Sequence, residues 1–374
     1  MSFLIFVGVL SILVIVHEWG HFIAAKSLGV KVLKFSVGFG PKLLSRFHNG
    51  TEFMLCAIPL GGFVKMAGDE RSECKGTRDE FYAHPVGHRA IIVLMGPLVN
   101  FVFALICFYF TFLIGYPTVE SKIGKLMENY PAFAAGIEVG DRVVQIDSQK
   151  IENWEDLQEY VSTSRGPTLH FKILRGNQPI EKDVVPQIKI RKNIFGQEEA
   201  SRVVGVQPFE EQVLIKYGPV DAFVKSVQEL AKITVLTFKA LYYVVTGAMP
   251  AKDAFGGPIR ILDVIKNAAA AGISYLILTM AVISANLAIF NLFPIPVLDG
   301  GHLFLFAVEK LRRRPLPTNV EEGLTKAGFG VLLVLFVLVC YNDIVRIGWI
   351  DHFKNFWQSL HSSPRGEINI KQNH

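Results

Sequence analysis

His17-Glu18-Trp19-Gly20-His21 forms an H-E-x-x-H pattern. On a helix, residues four apart share a face. His17 and His21 can therefore offer two imidazoles to one metal ion, with Glu18 beside them as a general base. The chemistry available to such a group is hydrolysis. A metal ion lowers the pKa of water and polarises a carbonyl, and a carboxylate takes the proton and returns it to the leaving group. Five residues make a short pattern, so its placement carries the information. The motif directly follows MSFLIFVGVLSILVIV, which has no charge. Ionisable side chains at the end of an apolar helix are costly in lipid unless they bind something.

A tetrahedral zinc site of the hydrolytic kind needs a third protein ligand. The second unusual stretch runs Asn291-Leu292-Phe293-Pro294-Ile295-Pro296-Val297-Leu298-Asp299-Gly300-Gly301-His302 at the end of another charge-free run. Prolines two apart exclude a regular helix there. Irregular backbone at membrane depth must line protein or a cavity rather than lipid. Asp299 is thus the candidate third ligand, with His302 as a rival three residues on. The Asn291 amide could hold substrate backbone, support an oxyanion or brace the loop.

These residues need elements that bring them to one depth. Hydrophobic residues make up 51% of the 374-residue chain and charged residues 19%, against about 25% charged in a typical soluble domain. The expected architecture is a polytopic α-helical membrane protein with about four transmembrane helices. Spans are expected at about 3–25, 91–115, 273–293 and 327–348. The first reads as a span rather than a removable leader, because no basic segment precedes it and no small-residue cleavage site follows it. Lys and Arg gather between residues 26 and 89 and again at Lys310, Arg312, Arg313 and Arg314. That pattern places these segments in the cytoplasm, with the N-terminus and the region after the second span outside. A net charge of +5 is explained by the same topology signals, and no nucleic-acid partner is implied. The cysteines, Cys56, Cys74, Cys107 and Cys340, have no metal-like spacing.

Between the first two spans, residues 32–66 read as cytoplasmic-side strands, with Gly61-Gly62 at a bend. Paired strands beside the site would offer an edge to an extended peptide. The candidate substrate-binding residues are therefore Gly61, Gly62 and Phe63 here, and Asn291, Pro294 and Pro296 in the broken stretch. Residues 121–192 change character, with short strands and charged residues spread evenly. The run Pro131-Ala132-Phe133-Ala134-Ala135-Gly136-Ile137 followed by Val139-Gly140-Asp141-Arg142-Val143-Val144-Gln145-Ile146 resembles a PDZ domain. Residues 193–218 read as polar linker, 219–250 as an amphipathic or partly inserted helix, and 349–374 as an interfacial and flexible tail.

The whole set resembles the site-2 protease family of intramembrane zinc metalloproteases, and within it the bacterial regulator-of-sigma-E protease branch. The residues that carry the likeness are the motif at 17–21, Gly38-Phe39-Gly40-Pro41, Leu60 to Met66, the PDZ-like region, and Asn291 to His302. The resemblance implies one zinc ion on His17, His21 and Asp299, with Glu18 as base and His302 not a ligand. It implies a membrane-associated sheet near 51–66 that holds extended substrate, in a multi-pass protein of the bacterial inner membrane. Implied substrates are single-span membrane proteins, such as anti-sigma factors already trimmed by a site-1-type protease, and remnant signal peptides. The PDZ-like domain is implied to filter substrates by size. Well-known members of this branch carry two tandem PDZ domains, whereas this chain has room for one. The competing reading is a catalytically inactive membrane scaffold or chaperone that binds peptides through that domain. A complete ligand set with Glu18 present argues against it. A zinc transporter would spread ligands along a pathway, and a secreted zincin would lack the later spans.

Overall fold

The computed structural model describes residues 2–250 and 256–346. The opening apolar run forms α1 (Ser2–Ser27); its 26 residues span about 39 Å at 1.5 Å per residue. A hairpin follows, made of β1 (Val32–His48) and β2 (Thr51–Met66) in antiparallel pairing. Its turn is Asn49-Gly50, both with positive φ, the backbone that a tight hairpin demands and that Asn-Gly supplies. β1 runs through Pro41, although that residue has no N–H to donate. The ladder is irregular between Val32 and Leu44, where a proline can sit without costing a paired bond.

Next comes α2 (Val86–Ile114), which carries Pro97 within it. It packs against α1 and against three later helices, so it is the centre of the helical part. The chain then builds an inserted α+β unit. In order, its elements are β3 (Tyr116–Val119), β4 (Ile123–Leu126), α3 (Pro131–Ala134), β5 (Arg142–Ile146), β6 (Gln149–Lys150) and α4 (Trp154–Thr163), then β7 (Leu169–Arg175), β8 (Gln178–Val184), β9 (Gln187–Lys192), β10 (Glu198–Val203), β11 (Val206–Pro208) and β12 (Gln212–Ile215). Strands β6-β5-β7-β8 make one antiparallel sheet. Ile123, Val143, Ile146, Leu157, Leu169 and Phe171 are buried in the unit's core. Asn153 caps α4, its Oδ1 accepting from the Asp156 N–H at 2.8 Å.

The expectation of a linker at 193–218 is corrected here. β10 pairs with β9, β11 with β4, and β12 with β3. Val203 and Val204 are buried. These strands are short and show one face to solvent, so their residues read as polar coil. The partners of β11 and β12 lie about eighty to a hundred residues earlier in the chain.

α5 (Pro219–Val245) is amphipathic and lies along α2. α6 (Pro258–Ala271) and α7 (Ile273–Asn291) meet at Gly272, whose φ of +129° suits glycine. Thr237 Oγ1 of α5 donates to Asn286 Oδ1 of α7 at 2.8 Å. α8 (Asp299–Arg312) and α9 (Thr318–Arg346) complete the described chain. The helix expected from 327 thus begins earlier, at Thr318. The tail expected at 349–374 lies outside the described residues. Among the described residues, four helices are long and apolar enough to cross a membrane: α1, α2, α7 and α9. Asp343 is a charge within α9, and it has a structural role. Its carboxylate accepts from the backbone N–H groups of Gly257, Ile259 and Arg260, each at 3.2 Å, and so caps the start of α6.

Candidate metal centre

α1 turns His17, Gly20 and His21 towards α2, along the face that also buries Phe6, Val9 and Leu13. The two helices meet closely because glycines face each other's backbone and rings. A Cβ on Gly20 would strike the Met95 carbonyl, and a Cβ on Gly96 would strike the His21 imidazole and approach His17 Cε1 to 2.9 Å. Ile92, Gly96 and Asn100 are spaced four apart, one face of α2. Ile92 O lies 2.9 Å from His21 Nδ1. A carbonyl can only accept, so Nδ1 carries the proton and Nε2 is left with a lone pair.

Asp299 arrives from the far end of the chain. α7 ends at Asn291, and residues 292–298 fold into turns, with Leu298 N–H donating to Ile295 O at 2.8 Å. The turns pack so tightly on the start of α8 that a Cβ on Gly300 would strike the Leu292 carbonyl, and one on Gly301 the Ile295 carbonyl. The Asp-Gly-Gly run thus lets a proline-bearing loop fold back over a helix start that carries the carboxylate.

His17 Nε2 lies 3.1 Å from Asp299 Oδ2, His21 Nε2 lies 3.5 Å from Asp299 Oδ1, and the two Nε2 atoms are 3.2 Å apart. Asp299 Oδ2 is buried and accepts no hydrogen bond. Two imidazole nitrogens and a carboxylate oxygen, all within 4.8 Å of one another, leave lone pairs converging on one point. This donor set suits zinc, which takes N and O ligands and in hydrolytic sites uses three protein ligands. Among the described residues, the other grouping of three possible ligands, Asp69, Glu70 and Glu73, is largely exposed and surrounds Lys65.

A cavity of about 680 Å³ opens at the cluster. Glu18, Phe63, Asn291 and His302 line it along with the three ligand candidates. Glu18 lies beside β2, where a Cβ on Gly62 would come within 3.7 Å of Glu18 Cγ and would strike the Ser36 carbonyl. Asn291 Nδ2 is 3.4 Å from His17 Nε2. His302 faces the cavity but stands outside the three-ligand cluster.

Four residues expected to bind substrate, Gly61, Gly62, Pro294 and Pro296, do not line this cavity, and Gly62 packs against the Ser36 carbonyl. Gly61, with φ of +103°, packs under the Phe39 ring. Pro296 packs against Gly301 and Gly328, and Pro294 belongs to the same turn. Their positions serve to shape the backbone around the site.

The sequence reading assigned none of Ile92, Gly96 and Asn100 to the site. The signal was present in the four-residue spacing of a glycine and an asparagine in an apolar span. It also missed the charges that hold α8. Arg89 of α2 donates to Glu309 of α8, with Nη2 to Oε1 at 2.7 Å, and Arg71 bridges Glu309 to Glu321 of α9. Burial would raise the Glu309 carboxyl, but the hydrogen bonds and charges of Arg89 and Arg71 hold it below the usual carboxylate range. Removing one partner of such a buried pair costs about 3–5 kcal/mol, so this network ties the helix that begins with Asp299 to α2.

Gly96→Val is expected to weaken zinc binding by at least about 10–100-fold, the scale seen when a ligand loses its orienting partner. Helix content should stay at the wild-type level. Zinc competition and circular dichroism would check this. Wild-type affinity in the variant would show that the α1–α2 approach does not position the histidines.

A family model described as Peptidase family M50 matches residues 5–335. A protein of Agrobacterium fabrum, named "Putative zinc metalloprotease Atu1380", is 34% identical over 356 residues, covering 91% of this chain and 94% of its own. A protein of Campylobacter jejuni, named "Putative zinc metalloprotease Cj1068", is 33% identical, covering 92% and 94%. Among solved structures, a PDZ domain of an SdrC-like protein from Listeria innocua covers 25% of this chain and 96% of its own at 21% identity, with a TM-score of 0.20, too distant a superposition to inform the fold.

Proposed function

We propose that this chain, which belongs to peptidase family M50, hydrolyses peptide bonds within or beside the membrane-spanning segments of other proteins. Membership makes it a site-2-type zinc metalloprotease. The observation that carries the finer reading is the convergence of His17, His21 and Asp299 beside Glu18, in a cavity walled by candidate membrane spans. His17, His21 and Asp299 would hold one zinc ion. Bound there, zinc would supply Lewis-acid polarisation of the scissile carbonyl and lower the pKa of water. Glu18 takes the proton from the attacking water and gives it to the leaving amine. The Asn291 amide, on the cavity wall, donates to the substrate carbonyl or its backbone. Strand β2, through Phe63, seats the substrate in extended form. Burial of the histidines keeps bulk water off the ligands.

The topology follows from charge and apolar surface. Lys310, Arg312, Arg313 and Arg314 favour a cytoplasmic end for α8, which puts the N-terminus, the α+β unit and the end of α9 outside the inner membrane. Exposed Phe39, Leu43, Leu44 and Phe47 suit a hairpin lying against lipid. The inserted α+β unit is read as a single PDZ-like domain that admits substrates by size. An ion pair, Glu152 with Lys225 Nζ at 3.0 Å, ties the unit to α5. Substrates are then single-span proteins already shortened by a site-1-type protease, the class to which trimmed anti-sigma factors and remnant signal peptides belong.

The test uses two single-span reporters, one with a folded outer domain and one trimmed to a short outer stub, with the protein purified in detergent. The trimmed reporter should be cut at least about tenfold faster, a difference of about 1.4 kcal/mol in barrier. Equal rates would sink the size filter but leave the hydrolase. Cleavage of neither reporter would sink the choice of substrate class.

A further inference from the structure

The second ring nitrogen of His17 needs an acceptor when Nε2 holds a metal. Nε2 faces the convergence point, 3.1 Å from Asp299 Oδ2 and 3.2 Å from His21 Nε2. A ligating nitrogen offers its lone pair, so Nδ1 must carry the ring proton. For His21 the matching N–H is met by the Ile92 carbonyl. For His17 the group at the matching place is Asn100, two helical turns further along the same face of α2. Its side-chain nitrogen lies 3.2 Å from His17 Nδ1. Asn100 is fully buried, and its Oδ1 has no hydrogen-bond partner. Asn291 stands differently. Its amide nitrogen is 3.5 Å from Nδ1 and 3.4 Å from Nε2, so it faces the ring between the two nitrogens.

An amide is nearly symmetric in shape, and a half-turn about its last torsion exchanges oxygen for nitrogen. With Nδ2 toward the ring, Asn100 donates to Nδ1, and the His17 proton sits on Nε2, next to the Asp299 carboxylate. With Oδ1 toward the ring, Asn100 accepts from Nδ1–H and frees the Nε2 lone pair. The ring loses the proton at Nε2 and holds one at Nδ1. The Ile92 carbonyl can serve only the second kind of tautomer, whereas an amide serves either.

We propose that Asn100 is a positioning residue for the metal site: its side-chain oxygen holds His17 as the Nδ1–H tautomer when zinc is bound. The proposal rests on the zinc site described above. It extends that site to a specific partner on α2 that no ligand motif marks.

The experiment uses the full chain in detergent, as wild type, Asn100→Asp and Asn100→Leu. Zinc affinity is read by chelator competition, and site geometry by the visible spectrum of the cobalt-substituted protein. Asn100→Leu keeps the branched shape but removes the acceptor, and should weaken zinc binding about 10–100-fold. Asn100→Asp presents an acceptor at the same place, and should hold affinity within about threefold of wild type with an unchanged cobalt spectrum. Wild-type affinity in Asn100→Leu, or equal losses in both variants, would overturn the proposal. A third readout needs no variant. In histidine-labelled, zinc-loaded wild type, the nitrogen shift of His17 Nδ1 should be that of a protonated ring nitrogen, and an unprotonated shift there would overturn it. Failure of the wild type to bind zinc would instead overturn the metal site itself.

Discussion

Glu18→Gln is expected to lower cleavage of a single-span reporter by about 10²–10⁴-fold, the range that general acid–base catalysis contributes, with zinc content unchanged. Glutamine keeps the size of glutamate and still fills the place beside Gly62 and Val14 on the cavity wall. It cannot accept a proton from water. The three proposed ligands do not include Glu18, so metal binding has no reason to fall. The paired measurement is reporter cleavage and metal analysis on the same preparations. Activity near wild type would remove Glu18 from the proton-transfer role. A fall in both activity and zinc would mean that the side chain supports the ligands instead.

Asp299→Ala is expected to strip zinc from the purified protein and abolish cleavage. The loss in affinity should exceed the about 10–100-fold typical of removing a ligand's supporting partner. Asp299 brings the negative charge to the ligand set, and its loss leaves two neutral imidazoles on one helix, fewer than the three protein ligands a catalytic zinc site uses. His302→Ala is the matching control, because that ring faces the same cavity but lies outside the cluster. Its zinc content should match the wild type. Metal analysis of both variants separates the two candidates. Unchanged zinc in Asp299→Ala, with a loss in His302→Ala, would exchange their roles. The Arg89–Glu309 pair provides a reason for Asp299 to hold its place in wild type, since the helix it begins is pinned to α2 ten residues further on.

Local physics explains which parts of this protein could be read in one dimension. α1 needed only an uncharged run and the fact that positions 17 and 21 share a helical face. The break after Asn291 needed only two prolines. The hairpin's turn was misplaced: the bend was expected at Gly61-Gly62, which lies inside β2, whereas the chain turns at Asn49-Gly50, a pair with the right backbone freedom. β10 to β12 were not legible. Their partners lie in strands made earlier in the chain, and a half-exposed strand of polar residues has no local pattern that separates it from coil. Asp343 is a charge in an apolar helix with no local pattern to explain it, because it serves the unsatisfied N–H groups of a helix about eighty-five residues earlier.

The motif residues, the apolar spans and the proline break were determined by the sequence itself, because each follows from side-chain chemistry and spacing within a few residues. The meeting of His17 and His21 with Asp299, roughly 280 residues apart in the chain, was suggested by span order. Only the tertiary structure decided how close they come. The same holds for Gly96 and Asn100. A glycine becomes part of a metal site only when two histidine rings occupy the space its side chain would have filled, and a buried amide matters only when a ring nitrogen stands 3.2 Å away. Helix periodicity tells which face a residue is on. The close approach of two helices, set by glycines meeting backbone and rings, tells what that face touches.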